Sequence, residues 1–71
     1  MTNFSIEDLR ERVFASIARV VDVTNLDLVV QDGVYILSGR VSTREDAEMC
    51  AVIARRIPGI GKVKNRISIS G

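Results

Sequence analysis

The sequence predicts an α+β fold, a two-layer sandwich in which two helices cover one face of a mixed three-stranded sheet. Three observations support this prediction: two stretches of helical periodicity, a two-residue turn signal at Asp32 and Gly33, and an alternating C-terminal strand. The resulting element order is αββαβ. With 71 residues, of which 46% are hydrophobic, the chain is expected to form one domain over residues 1–71 with a single small core.

The first helix is predicted over residues 6–21. Ser5 precedes it as the N-cap, and Asp8 stands three residues on as the second member of a capping box. Apolar residues then recur at three- and four-residue steps, namely Ile6, Leu9, Val13, Ile17 and Val20. The polar face, with Glu7, Arg10, Glu11 and Arg19, carries both charge signs, which favours packing against a core over binding along a membrane surface.

Two strands, over residues 26–30 and 34–41, are predicted to form a hairpin around Asp32 and Gly33. Both residues tolerate the positive φ that a type I′ turn requires. This turn sets the predicted cross-strand pairs, which are Gln31 with Val34, Val30 with Tyr35, Val29 with Ile36, Leu28 with Leu37, Asp27 with Ser38, and Leu26 with Gly39. The apolar alternation agrees with the same register, so Leu28 and Leu37 point towards the core while Val29 and Ile36 point away from it.

Gly39 lies on the inward side of the second strand, where a larger residue is expected. A glycine inside a strand marks a bulge or a close approach by another element. We expect the second helix to cross over Gly39, and a ligand close to its backbone is the alternative.

The second helix is predicted over residues 43–57, with Ser42 and Glu45 as its capping box. Its inward stripe is made mostly of small residues, namely Ala47, Cys50, Ala51, Ala54 and Ile57. Cys50 is expected to be an inert core residue; the alternative, a nucleophile, lacks a base because the chain contains no histidine. One cysteine and no histidine also leave no Cys/His metal site, and no cofactor is expected.

Pro58 and Gly59 end the second helix, and a third strand is predicted over residues 62–69. It should lie beside the second strand and parallel to it, because a strand–helix–strand crossover within one sheet is parallel and right-handed. The sheet face without helices should then carry a basic row beside an apolar patch, formed by Val29, Val34, Ile36, Ser38, Arg40, Lys62, Lys64 and Arg66. Such a basic block is in general a solvated face, and an anionic partner is the more specific interpretation.

The run Gly59, Ile60, Gly61, Lys62 invites comparison with three nucleotide- or nucleic-acid-binding motifs and does not complete any of them. A dinucleotide-binding fingerprint needs a third glycine where Lys64 stands and a helix where a strand is predicted. A K-homology loop needs two residues between its glycines, and a DNA-binding helix-hairpin-helix unit needs a second helix. No nucleic acid partner is expected. The chain also lacks paired carboxylates and a Ser/His/Asp set, so it is predicted not to be an enzyme.

Several segments together resemble the BON domain, a bacterial module named for osmotic-shock and nodulation proteins. The resemblance covers nearly the whole chain and rests on two groups of residues: Asp32, Gly33, Val34, Leu37, Ser38, Gly39 and Val41 in the hairpin, then Pro58, Gly59, Ile60, Val63, Asn65, Ile67 and Ile69 after the second helix. Ile36 departs from the pattern, because the family often has a polar residue there. This departure makes the open face more apolar.

The resemblance implies a non-enzymatic binding module of envelope, periplasmic or stress-related proteins that associates with phospholipid membranes. It does not single out contact residues. The charge argument gives Arg40, Lys62, Lys64 and Arg66 as candidates for lipid or partner binding, and the adjoining apolar patch adds Val34 and Ile36. The alternative function is a protein-protein interaction or self-association module that uses the open sheet face or a strand edge, with a weak homodimer as one form.

Localisation depends on whether these 71 residues are the whole protein. No apolar run approaches the roughly 20 residues that span a bilayer, and the N-terminus lacks the features of a signal peptide. We expect a cytoplasmic location for the chain alone, and a periplasmic or envelope location if it is one domain of an exported protein.

Overall fold

The computed structural model describes residues 5–70 and has the predicted α+β fold and element order. Residues 1–4 and 71 of the predicted domain lie outside the described residues. The elements are α1 (Ile6–Ala18), β1 (Thr24–Gln31), β2 (Val34–Val41), α2 (Arg44–Arg55) and β3 (Lys62–Ile69). The sheet order is β1-β2-β3, with β1 antiparallel and β3 parallel to β2, as predicted.

Helix α1 begins as predicted but ends three residues early. The Ser5 Oγ accepts a hydrogen bond from the Asp8 N–H at 3.2 Å, which confirms Ser5 as the N-cap. The predicted end at Val21 is wrong, because α1 ends at Ala18 and Val20 is 63% exposed. β-Branched valines are poor helix formers. The chain instead turns at residues 19–20, where the N–H groups of Val20 and Val21 both donate to the Ile17 carbonyl, at 2.9 and 2.8 Å, and Val21 is buried outside the helix.

The hairpin has the predicted turn and, over most of its length, the predicted register. Asp32 and Gly33 have φ values of 54° and 77°, as a type I′ turn requires. The observed pairs that match the prediction are Gln31 with Val34, Val30 with Tyr35, Val29 with Ile36, Leu28 with Leu37, and Asp27 with Ser38. The local turn chemistry therefore determines five consecutive pairs.

The predicted pair of Leu26 with Gly39 is wrong, because β1 contains a bulge. The flanking pairs are Asp27 with Ser38 and Thr24 with Arg40, so Asn25 and Leu26 both lie opposite Gly39. Asn25 has a φ of 57°, a left-handed conformation that asparagine adopts more readily than most residues. A bulge of this kind bends its strand and increases the local twist.

Gly39 makes room for this bulge and not for a helix. An added Cβ at Gly39 would lie 3.1 Å from Val23 Cγ2, 3.2 Å from the Thr24 carbonyl oxygen and 3.3 Å from Leu26 Cα. None of these atoms belongs to α2, so the expectation that α2 crosses over Gly39 is wrong. The φ of 152° at Gly39 is also unfavourable for any residue with a side chain.

Helix α2 begins one residue later than predicted and ends two residues earlier. Its N-cap is Thr43, whose Oγ1 accepts a hydrogen bond from the Asp46 N–H at 3.1 Å, and not Ser42. Ser42 and Thr43 each have an acidic residue three positions on, so both fit the capping pattern. Thr43 is itself extended, with a φ of −134° and a ψ of 160°, and the helix can begin only after it.

The core lies between the helices and the inner face of the sheet. Its buried residues come from both helices, from β1 and β2, and from the segment after α1; they are Val13, Ile17, Val21, Leu28, Leu37, Val41, Ala47, Cys50 and Ala54. Tyr35 packs against this cluster while partly exposed, and its hydroxyl donates to the Gly59 carbonyl at 3.3 Å. Both helices therefore pack on one side of the sheet, and the other side carries no helix.

Candidate functional site

The sheet surface opposite the helices is called the outer face here. Leu28 and Leu37 are buried beneath the helices, so the alternate residues of each strand point the other way. Four rows cross the outer face from β1 to β3: Gln31–Val34–Lys62, Val29–Ile36–Lys64, Asp27–Ser38–Arg66 and Thr24–Arg40–Ser68. The structure thus brings all six candidate residues, Val34, Ile36, Arg40, Lys62, Lys64 and Arg66, onto one surface.

The two rows nearest the hairpin turn form an apolar half with lysines along one side. Lys62 lies beside Val34, and Lys64 lies beside Ile36. Val34 and Ile36 are half-buried, whereas Val29 is 44% exposed. This half offers a small apolar contact area next to two flexible ammonium groups.

The other two rows form a polar half that carries arginines and serines. Arg66 lies beside Ser38, and Arg40 lies beside Ser68. Both arginines are exposed, and the Ser68 hydroxyl donates a hydrogen bond to the Gly39 carbonyl at 3.0 Å. The bulge in β1 borders this half, since it lies between the rows of Asp27 and Thr24.

The outer face has a strong excess of positive charge. Asp27 is the only acidic residue in the three strands, whereas Arg40, Lys62, Lys64 and Arg66 all point outward. Within residues 5–70, none of these four basic side chains takes part in an ion pair. Their charges are therefore available to an anionic partner.

Arg10 of α1 lies beside the one acidic residue of the strands, at the β1 edge of the sheet. Its Nε lies 3.9 Å from the Asp27 Oδ1, and its Nε and Nη2 donate to the Leu28 carbonyl at 3.2 and 3.1 Å. The sequence interpretation placed Arg10 on the solvent side of α1 and missed this role. Its position four residues before Phe14, at the border of the apolar stripe, is the signal that could have indicated it.

At each edge of the sheet, a side chain forms a hydrogen bond with a main-chain group of the edge strand. Arg10 occupies the Leu28 carbonyl on β1. On β3, the Asn65 Oδ1 accepts from the Ile67 N–H at 3.1 Å while the Asn65 Nδ2 donates to the Ala47 carbonyl at 2.9 Å. Unpaired groups along an edge strand are a template for pairing with another chain. Neither edge is fully available for such pairing here.

Cys50 does not have the environment of a nucleophile. It is fully buried, and burial raises the pKa of its thiol, with a further increase from the negative charge of Asp46. The reactive thiolate is thus disfavoured at neutral pH. Across residues 5–70, no group of three or more His, Cys, Asp or Glu side chains could hold a metal ion. No helix in that range is long and apolar enough to cross a bilayer.

Comparison with known proteins identifies one family. The model of the BON domain family matches residues 5–71. No curated protein matched the chain. The matched range contains the hairpin, the bulge at Gly39 and the third strand, which are the segments that carry the resemblance in the sequence. Because the match covers nearly its whole length, the chain belongs to the BON domain family.

Proposed function

We propose that this chain is a non-enzymatic module that binds anionic phospholipid surfaces through its outer face. BON domains are binding modules and not a known catalytic family. The observation that carries the proposal is the charge of the outer face, where four basic side chains have no ion-pair partner among residues 5–70. The Oδ1 of Asp27, the one acidic residue of the strands, lies 3.9 Å from the Arg10 Nε.

Such binding would be weak and reversible. A basic residue close to an anionic membrane contributes about 1 kcal/mol, so the four on the outer face supply roughly 4 kcal/mol at most. This corresponds to a dissociation constant of about 1 mM. Val34 and Ile36 add little because they are half-buried. Stable attachment therefore needs a second domain or a membrane-bound neighbour that raises the effective concentration, as in an envelope or stress-related protein.

Co-sedimentation with vesicles tests this proposal. The wild-type chain is expected to pellet with phosphatidylglycerol-containing vesicles at low salt, and not with pure phosphatidylcholine vesicles. Bound protein should decrease as salt is added, because salt screens the attraction. A variant with Lys62→Ser, Lys64→Ser and Arg66→Ser should lose most of this binding.

A matched variant separates the outer face from net charge. Arg19, Arg44 and Arg55 are exposed residues of the helices and their ends. Replacing these three by serine removes the same charge as the outer-face variant. This control is expected to retain most of the binding. Equal loss in both variants, or no sedimentation of the wild-type chain at low salt, would reject the outer face as a lipid-binding surface.

A protein partner is the second candidate, and the exposed apolar area around Val29 favours it. Self-association through two outer faces is opposed by charge, because each copy would contribute four basic residues and a single acidic one. Ile36→Lys should weaken any dimer that uses this surface. A chain that stays monomeric at millimolar concentration and binds no neighbouring domain would exclude this candidate.

A further inference from the structure

Within this proposed function, on which the inference rests, we propose that Ser38, Arg40 and Arg66 form a binding site for one phosphate group. We call these three residues the arginine–serine site. The phosphate would come from a lipid headgroup or from a free phosphate ion. The site lies in the polar half of the outer face, and its Ser38–Arg66 row is next to the row of Ile36 and Lys64.

The strand register places the two arginines on a diagonal. Ser38 is paired with Arg66, and Arg40 is paired with Ser68. Neighbouring strands are about 4.8 Å apart and alternate residues about 6.6 Å apart, so the Cα atoms of Arg40 and Arg66 are roughly 8 Å from each other. An extended arginine side chain is long enough for both guanidinium groups to reach an anion between them, above Ser38.

The hydrogen-bond donors of this site are not occupied. Within residues 5–70, neither guanidinium nor the Ser38 hydroxyl has a hydrogen-bond or ion-pair partner. The Ser68 hydroxyl differs, since it already donates to the Gly39 carbonyl at 3.0 Å, and we leave it out of the site. Two guanidinium groups and one hydroxyl therefore remain free to donate to a ligand.

This donor set suits a phosphate monoester. A guanidinium group donates two parallel hydrogen bonds to phosphate oxygens, whereas a lysine acts as a point charge. A monoester presents three terminal oxygens and up to two negative charges, whereas the phosphodiester of phosphatidylglycerol presents two oxygens and one charge. The arginine–serine site should therefore prefer a monoester, and Lys62 and Lys64 should not distinguish the two.

Two further features support a ligand at this position. Asp27 lies beside Ser38 on the side away from Arg66 and would compete with an anion for the arginines, but its Oδ1 lies 3.9 Å from the Arg10 Nε, which partly offsets this charge. The β1 bulge and the positive φ values of Asn25 and Gly39 also lie next to the site. Bulges are over-represented next to functional sites, where they redirect a side chain. Here the bulge lies opposite Gly39, the residue before Arg40.

Charge-preserving variants test the site. In the chain with Arg40→Lys and Arg66→Lys, net charge is unchanged and the forked donors are lost. The control carries Arg19→Lys and Arg55→Lys, away from the outer face. Inorganic phosphate is titrated into each protein and followed by backbone amide NMR. We expect shifts centred on residues 38–40 and 66–68 in the wild type and the control, and about three- to tenfold weaker binding in the site variant.

Vesicles provide the second arm of the test. At matched surface charge, the wild type should bind phosphatidic acid vesicles, which carry a monoester, more tightly than phosphatidylglycerol vesicles. The site variant should lose this preference while its binding to phosphatidylglycerol persists. All variants replace exposed residues, and their NMR spectra report directly whether each remains folded.

The outcomes separate the phosphate site from membrane binding. Loss of the phosphate shifts and of the monoester preference in the site variant alone supports the proposal. If the phosphate-induced shifts spread over Lys62 and Lys64, or if the site variant and the control bind phosphate equally, the arginine–serine site is rejected. The proposed lipid function is not affected by that result. If the wild-type chain does not bind vesicles but binds inorganic phosphate at residues 38–40, the result supports the arginine–serine site and rejects the lipid function. No response to either ligand rejects both.

Discussion

Replacing Gly39 by alanine should destabilise the fold more than the same change at Gly33 or Gly61. The new Cβ would meet Val23 Cγ2 at 3.1 Å, the Thr24 carbonyl oxygen at 3.2 Å and Leu26 Cα at 3.3 Å. Two of these three atoms are main chain and belong to the bulge. They cannot rotate away as the end of a flexible side chain would.

The expected cost has two parts. A φ of 152° is accessible to glycine but sparsely populated by residues with a side chain, which costs on the order of 1–3 kcal/mol. Forcing an extra methyl group into a packed site costs typically another 1–3 kcal/mol. We therefore expect Gly39→Ala to lower the free energy of unfolding by about 3 kcal/mol. A domain of this size has roughly 4–10 kcal/mol in total.

Urea unfolding followed by circular dichroism measures this cost, and two other glycines provide the controls. Gly33 has a φ of 77° but nothing within 4 Å of an added Cβ, so Gly33→Ala should cost only about 1 kcal/mol of backbone strain. At Gly61 the nearest atom is Tyr35 Cε1 at 3.9 Å, an ordinary contact, and Gly61→Ala should change stability by less than about 0.5 kcal/mol.

The relative losses of unfolding free energy in the three glycine variants test this explanation. If Gly39→Ala costs no more than Gly33→Ala, the close approach of the bulge does not constrain residue 39, and the reasoning is refuted. Adding Val23→Ala to Gly39→Ala should recover less than half of the loss. This second change removes only one of the three close contacts and leaves the φ strain in place.

Three further predictions concern the caps, the core and the sheet edges. Thr43→Ala should lower the free energy of unfolding by about 1 kcal/mol and Ser42→Ala by much less, and the reverse order would contradict the observed cap. Burial raises the pKa of the Cys50 thiol above its ordinary 9.0, so the unfolded chain ionises first. The folded state is therefore favoured while the thiol is protonated, and this advantage is lost as pH rises above 9.0. In urea unfolding, the wild type should lose more stability than Cys50→Ala between about pH 8 and 10. Arg10→Leu and Asn65→Ala each free a main-chain group at a sheet edge. Each variant should therefore self-associate more than the wild type at the same concentration in analytical ultracentrifugation. Strictly monomeric variants would show that these contacts do not protect the edges.

Local chemistry accounts for the parts of the fold that were predicted correctly. The turn at Asp32 and Gly33 and the alternation of its flanking strands both act over a few residues, and together they set five pairs of the hairpin. The parallel position of β3 follows from the handedness of crossover connections, which holds for nearly all such units. These two features were enough to place all six candidate residues on one surface.

The choice between two equally good local signals depended on the tertiary structure. Ser42 and Thr43 both have the side chain and the downstream acid that a capping box requires. Thr43 is the cap because the residue itself is extended and the first helical turn starts at Arg44. The end of α1 is similar, since Val21 is buried by a turn of the chain and not by continuation of the helix.

Contacts between distant segments could not be predicted from pattern alone. Arg10 binds the carbonyl of Leu28, and Asn65 binds the carbonyl of Ala47, each eighteen residues away in sequence. Main-chain groups are identical at every position, so no residue type in the sequence marks which carbonyl a side chain will reach.

The sequence by itself determined the fold class, the hairpin register near its turn and the basic character of one sheet face, because each follows from periodicity, turn chemistry or charge. Only the tertiary structure decided what lies over Gly39, namely the bulge of the neighbouring strand and not a helix. The physical reason is that a glycine in a strand signals a close approach without identifying the approaching atoms. Those atoms come from the β1 chain at Val23, Thr24 and Leu26, and their position depends on how β1 pairs with β2.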